Sequence, residues 1–161
     1  MTIIEDRLLP VVEPEGLRDY SPKGLLKDAL VQIQLHPETW DQSDWRCDTG
    51  FCLAGWFAQL DPRVDWESDD VGDPGYTVVV EHATRRRWPV EVWFRDQLGL
   101  DPWESNRITD GHNELWQLEY MVDDVLRGEA VGNYAEDDEE YVEDQDAWYL
   151  DESLDGGLRD A

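Results

Sequence analysis

The chain has 161 residues, with 39 Asp and Glu against 13 Lys and Arg, and a formal net charge of −26 at pH 7. That length suits one domain. The charge excludes nonspecific nucleic-acid binding, which needs cationic side chains to replace phosphate counterions, and it disfavours anionic membrane surfaces.

No apolar run approaches the ~20 residues of a membrane span, so residues 25–35 make at most a core helix. Residues 1–6 lack the basic segment and apolar stretch of a secretory signal, and a cytoplasmic location is expected. Nine Trp, six Tyr and three Phe distinguish the chain from a disordered acidic one, because each ring can bury roughly 150–250 Å². The bases are two Lys and eleven Arg, a bias shared by GC-rich genomes and, together with the acidity, by salt-adapted proteins.

Residues 1–20 carry apolar pairs (Ile3-Ile4, Leu8-Leu9, Val11-Val12) between acids, with Pro10 and Pro14. They read as an extended arm, at most one short strand. Ser21-Pro22 starts a helix as N-cap and first-turn proline. Leu25, Leu26, Ala29, Leu30 and Ile33 continue it with helical periodicity, and His36-Pro37 ends it; a helix over 22–35 is predicted. Asp48 or Thr49 is expected to cap a second helix over 50–60, in which Ala54 and Gly55 allow close approach of another element. Asp61-Pro62 stops it.

Residues 61–76 read as loop, and the β-branched run at 77–80 as a strand. Arg85-Arg86-Arg87 falls on a returning strand or hairpin loop. Pro89 opens a helix over 89–98 that Gly99 stops, and Asp101-Pro102 caps a short one to about residue 109. Asn113 is expected to cap the last helix, 114–127, with Leu115, Leu118, Met121, Val122, Val125 and Leu126 as its apolar face. Trp40, Trp45, Trp56, Trp93 and Trp116, in or beside these elements, are expected to be core. The expected fold class is α+β and mainly α: four or five helices around a small two-stranded β element, plus an acidic C-terminal extension.

Gly128 suits the position after a helix end, and the charge changes there. Residues 129–161 hold 13 acids and a single base, Arg159. The expected organisation is an arm (1–20), a helix-rich domain (21–128) and an acidic tail (129–161). Within the tail, Glu136-Asp137-Asp138-Glu139-Glu140 is a like-charge block of the kind that is usually solvated. Yet Tyr134, Tyr141 and Trp148 recur every seven residues, with Ala135, Val142 and Tyr149 one step behind, a spacing that puts each set on one side of a helix. A helix over 134–150 is predicted. Its rings either anchor a partner while the acids steer it, or pack back on the chain's own domain.

Residues 36–56 contain His36-Pro37, Trp40-Asp41-Gln42, Trp45-Arg46-Cys47, Thr49, Cys52 and Ala54-Gly55-Trp56. With Leu98-Gly99-Leu100 and His112-Asn113-Glu114-Leu115, this pattern resembles a family of small uncharacterised proteins from actinobacteria and their phages. The resemblance covers about residues 25–127; Asp48 stands where that family usually has Gly, and the tail lies outside it. It implies a fold-level grouping and a phage or actinobacterial setting, and no activity.

Chemistry must be weighed against packing. Cys47 and Cys52, with His36, His82 or His112, make a loose zinc set, but there is no second Cys pair and no closely spaced His pair. A disulfide between them runs against a reducing cytosol. Cys52 in a first helical turn, with His36 as base, is a thiol-nucleophile arrangement, but such thiols want an electropositive site. The favoured reading of both thiols is small buried hydrophobes beside the tryptophans.

Paired carboxylates such as Asp69-Asp70 and Asp123-Asp124 arise from composition alone. The sequence contains no GxGxxG, Walker A, GxSxG or HExxH motif, and the run from Asp69 to Gly75 does not follow the register of a calcium loop. Arg85–87 contacts phosphate or an acidic partner, or neutralises acids of this chain, the latter being favoured.

The sequence therefore predicts no catalysis and no cofactor. It predicts an acidic interaction protein, phage-encoded, that binds and blocks a basic host protein, nucleic-acid mimicry being one route. The expected partner-binding residues are Tyr134, Asp137, Asp138, Glu139, Glu140, Tyr141, Trp148 and Tyr149, with no direct nucleic-acid or membrane contact. Two alternatives stay open: a zinc- or thiol-dependent enzyme on Cys47, Cys52 and His36, and a family domain whose acidity is solubility or salt adaptation.

Overall fold

The computed structural model describes residues 19–134. The first helix, α1 (Pro22–Leu35), has the predicted bounds. The Ser21 hydroxyl accepts the Gly24 N–H at 3.1 Å, satisfying one of the free donors of a helix start. Leu25, Leu26, Ala29 and Ile33 are fully buried; a Leu or Ile so placed contributes roughly 1.5–3 kcal/mol. His36 leaves the helical region ahead of Pro37, and a short 3₁₀ turn, Pro37–Thr39, follows.

A tight hairpin comes next, β1 (Arg46–Cys47) against β2 (Gly50–Phe51), and leads into α2 (Leu53–Leu60). Neither Asp48 nor Thr49 caps this helix, because the hairpin uses the residues up to Phe51. Cys52 caps it instead, its Sγ accepting the Gly55 N–H at 3.4 Å. All of α2 but Gln59 is buried, so it is the central element, packed between α1 and the next long helix. Gly55 lets the 45–51 segment approach this helix closely: a Cβ there would lie 2.0 Å from the Trp45 carbonyl oxygen.

The stretch read as loop contains a strand. β3 (Val64–Trp66) pairs antiparallel with β4 (Val78–Glu81), which pairs antiparallel with β5 (Arg87–Pro89). The sheet therefore has three strands, and the chain contains the 46–51 hairpin besides. Trp66 stacks on Phe51 with ring centres 5.8 Å apart, tying sheet to hairpin.

α3 (Val90–Leu98) buries Val90, Trp93 and Phe94 and ends at Gly99, whose φ of +65° is the left-handed conformation that favours glycine. α4 (Pro102–Ile108) opens with a reciprocal capping box between Asp101 and Glu104. α5 (Leu115–Leu126) buries Leu118, Met121, Val122 and Val125. Its cap is Glu114 rather than Asn113, whose side-chain N–H donates to the Arg107 carbonyl at 2.7 Å. Five α-helices and two small sheets among the described residues make the fold α+β and mainly α.

Trp56 and Trp93 are buried, and Trp40 and Trp45 pack against the core. Trp116 departs from the expectation: it is 38 % exposed on the outer side of α5. None of the helices described is long and apolar enough to cross a membrane.

Candidate functional site

The outer face of α5 carries a run of rings. Trp116 and Tyr120 are one turn apart, so both project from the side opposite the Leu118–Val122–Val125 stripe. They meet edge to face with centres 6.2 Å apart, and Tyr120 stacks on Tyr134 at 5.2 Å. Tyr120 is 56 % exposed. Rings stacked on one another but open to water resemble the anchors of an interface more than isolated surface apolars do.

Carboxylates border this face. The Trp116 indole N–H donates to Glu114 Oε2 at 2.8 Å. Glu119 accepts from Gln34 on α1 at 3.0 Å. Asp123 is paired with Arg127 at 2.9 Å.

Tyr134 is brought to Tyr120 by a strap. Past Gly128, whose φ of +73° reverses the chain, residues 129–134 turn back over α4 and α5. The Val131 N–H donates to Glu104 Oε2 (3.0 Å) and its carbonyl accepts from Arg107 (2.7 Å), while its side chain is buried in the core. Asp124, one face of α5 away from solvent and only 4 % exposed, holds the end of the strap. It accepts the Gly132 N–H at 3.0 Å and the Tyr134 hydroxyl at 2.7 Å, and Arg127 at 3.1 Å balances its charge. The bond to this carboxylate, more than partial burial, raises the Tyr134 hydroxyl above its ordinary value of 10. Gln117 completes the strap on the Tyr134 carbonyl at 2.9 Å. The first member of the predicted aromatic stripe thus docks on its own domain, six residues past the break in composition.

A depression of about 340 Å³ lies beside the strap, with Lys23, Glu104 and Glu129 as its charged lining residues. Lys23 donates to the Leu126 carbonyl at 3.4 Å, and Glu104 serves both Asp101 and Val131. These groups are occupied in holding elements together.

The cysteines are both free thiols. Burial pushes the Cys52 thiol up to about 12, outweighing the lowering effect of the Gly55 and Ala54 N–H groups at the helix start. A thiol held neutral in this way is a poor nucleophile. Its expected base, His36, lies 3.4 Å from Glu38 instead. Cys47 is half-buried rather than buried, with its sulfur 3.5 Å from the Thr49 hydroxyl. Among the described residues no three His, Cys, Asp or Glu side chains converge to hold a metal ion.

The residues of the 36–56 pattern are used for packing. Gln42 is buried and joins three segments: its oxygen accepts from Leu53 N (3.2 Å) and Trp40 Nε1 (3.0 Å), and its nitrogen donates to the Ile108 carbonyl (3.2 Å). Trp56 donates to the Thr39 carbonyl at 3.1 Å. Arg46, 9 % exposed along its side chain, donates to the carbonyls of Ser68 (2.7 Å) and Tyr76 (3.2 Å). Of the basic cluster, Arg87 pairs with Glu67 and Arg86 lies 3.9 Å above the Trp88 ring, so both are engaged within the chain. Arg85 sits in the β4–β5 hairpin with a left-handed φ of +60°.

Of the expected partner-binding residues, Tyr134 lies at the edge of the α5 face. Asp137, Asp138, Glu139, Glu140, Tyr141, Trp148 and Tyr149, with the helix expected over 134–150, fall outside the described residues. Sequence reasoning missed Trp116 and Tyr120 as surface rings and Asp124 as a buried acid. Comparison with family models, with curated proteins and with solved structures gives no match.

Proposed function

We propose that this is a non-enzymatic interaction protein whose acidic, ring-bearing surface binds a basic protein. The observation that carries the reading is the continuous contact of Trp116, Tyr120 and Tyr134 on an outer helix face edged by Glu114, Glu119 and Asp123. The chain runs on from Tyr134 into the block at 136–140 and the rings of Tyr141, Trp148 and Tyr149, so the tail extends the same combination of anchors and charge. Rings in such a place supply contact area, while carboxylates steer a cationic surface and penalise an anionic one. With a net charge of −26, the encounter is steered at long range and weakened by salt.

The phage setting implied by the family resemblance makes a host protein the natural target, and occupation of a nucleic-acid-binding groove the natural way to block it. Cytoplasmic action, with no cofactor, follows from the same reading. The thiol alternative is weakened by the neutral, buried state of Cys52.

The test is affinity capture from lysate with the whole chain, the Trp116→Ala/Tyr120→Ala variant and a chain lacking residues 135–161. The reading expects basic proteins, released as salt rises and lost with the surface variant or the truncation. Capture indifferent to salt and to both changes would overturn it.

A further inference from the structure

Arginine is used in one way repeatedly among the described residues. Arg63 grips the buried Asp61 carboxylate through Nε (2.9 Å) and an Nη (2.8 Å), and Trp93 donates its indole N–H to the same carboxylate at 3.1 Å. The Arg63 guanidinium meanwhile lies 5.3 Å from the centre of the Trp93 ring. Ring, carboxylate and guanidinium form a closed triad. Arg46 repeats the theme between Trp66 and Tyr76, at 4.7 and 4.2 Å, with Asp69 at 3.0 Å.

Glu114 and Trp116 reproduce the first triad without its cation. The indole N–H reaches the carboxylate at 2.8 Å, the ring is open to water, and no guanidinium of the described residues lies over it. Tyr120 widens the face, and Glu119 lies beside it on α5. We propose that the Glu114–Trp116 pair is a socket for an arginine side chain of the partner, which stacks on the Trp116 ring while it bonds to Glu114. This rests on the reading of the α5 face as an interaction surface and adds a selectivity to it. A planar guanidinium can stack and donate in its own plane at once, and it gives up water more easily than an ammonium does. The surface therefore selects arginine-rich over lysine-rich segments of equal charge. The strongly anionic chain makes a cationic occupant the complementary one.

The test titrates the whole chain at low salt with blocked hexa-arginine and hexa-lysine peptides, by calorimetry and by the indole N–H resonance of Trp116. The expected result is roughly fivefold tighter binding of the arginine peptide, with a shift of the Trp116 resonance that the lysine peptide does not match. Trp116→Ala and Glu114→Gln should each bring the ratio close to one. The resonance in the unaltered chain keeps the test valid if either variant folds poorly. Equal affinities, or an arginine preference without movement of the Trp116 resonance, would overturn the socket and leave the basic-partner reading standing. Binding of neither peptide would overturn both.

Discussion

Asp124 is the group on which the strap depends, and its removal is the most informative single change. The carboxylate is buried and accepts from Gly132, Tyr134 and Arg127. In Asp124→Ala the three donors lose a charged acceptor, a kind of bond typically worth ~1.5–3 kcal/mol. The losses do not add, because the strap can lift and give all three to water. A net destabilisation near that of one such bond, about 2–3 kcal/mol, is expected, within the range of broken buried networks. For a domain of this size it lowers Tm by roughly 8–12 °C.

Urea and thermal unfolding, with hydrogen exchange at the Val131 and Gly132 amides, measure it. Asp123→Ala, one residue away on the same helix but with its carboxylate in water, should cost about 0.5 kcal/mol or less. If the two variants were equally stable, and the Val131 amide exchanged no faster in Asp124→Ala, the strap would not be held as described.

Other outcomes follow from the same geometry. Native protein should expose one thiol to a disulfide reagent at pH 8, at Cys47, and two after unfolding, since Cys52 stays neutral until about 12; rapid labelling of both in the native state would contradict its burial. The Tyr134 hydroxyl titrates above its usual value because it donates to Asp124. A raised folded value means that the bond stabilises at all pH below 10 and is lost as pH climbs through that raised value. The urea midpoint should thus fall more steeply above pH 10 in the unaltered chain than in Tyr134→Phe, and identical slopes would refute the link. Asp61→Ala strands the buried Trp93 N–H while the half-exposed Arg63 guanidinium turns to water, and should cost about 1–3 kcal/mol; denaturant titration reads it directly.

The parts of the fold legible in sequence are those fixed by neighbours along the chain. Ser21-Pro22 and His36-Pro37 set both ends of α1, Asp101 and Glu104 cap each other, and Gly99 stops α3 through its own backbone. β3 was illegible because Val64–Trp66 is held by pairing with residues 79–81 and by Trp66 against Phe51, distant in sequence. The cap of α5 lies one residue later than expected, at Glu114, within the range over which neighbouring polar residues compete for the role. At the candidate site the signal was present in part: Trp116 and Tyr120 fall outside the stripe of Leu118, Met121, Val122 and Val125, and periodicity alone places them outward. Asp124 gave no such signal, since it sits beside Asp123 in a chain rich in acids, and its partners at 132 and 134 come from beyond the helix.

The central claim is that carboxylates and exposed rings together make a surface for a basic protein. The most direct measurement is the salt dependence of affinity for a purified basic partner, taken with the whole chain, with Trp116→Ala/Tyr120→Ala and without residues 135–161. The account predicts affinity that falls linearly on a logarithmic salt scale, a shallower slope for the truncated chain, and an unchanged slope at weaker affinity for the ring variant. Affinity independent of salt, or untouched by loss of both rings and tail, would contradict it.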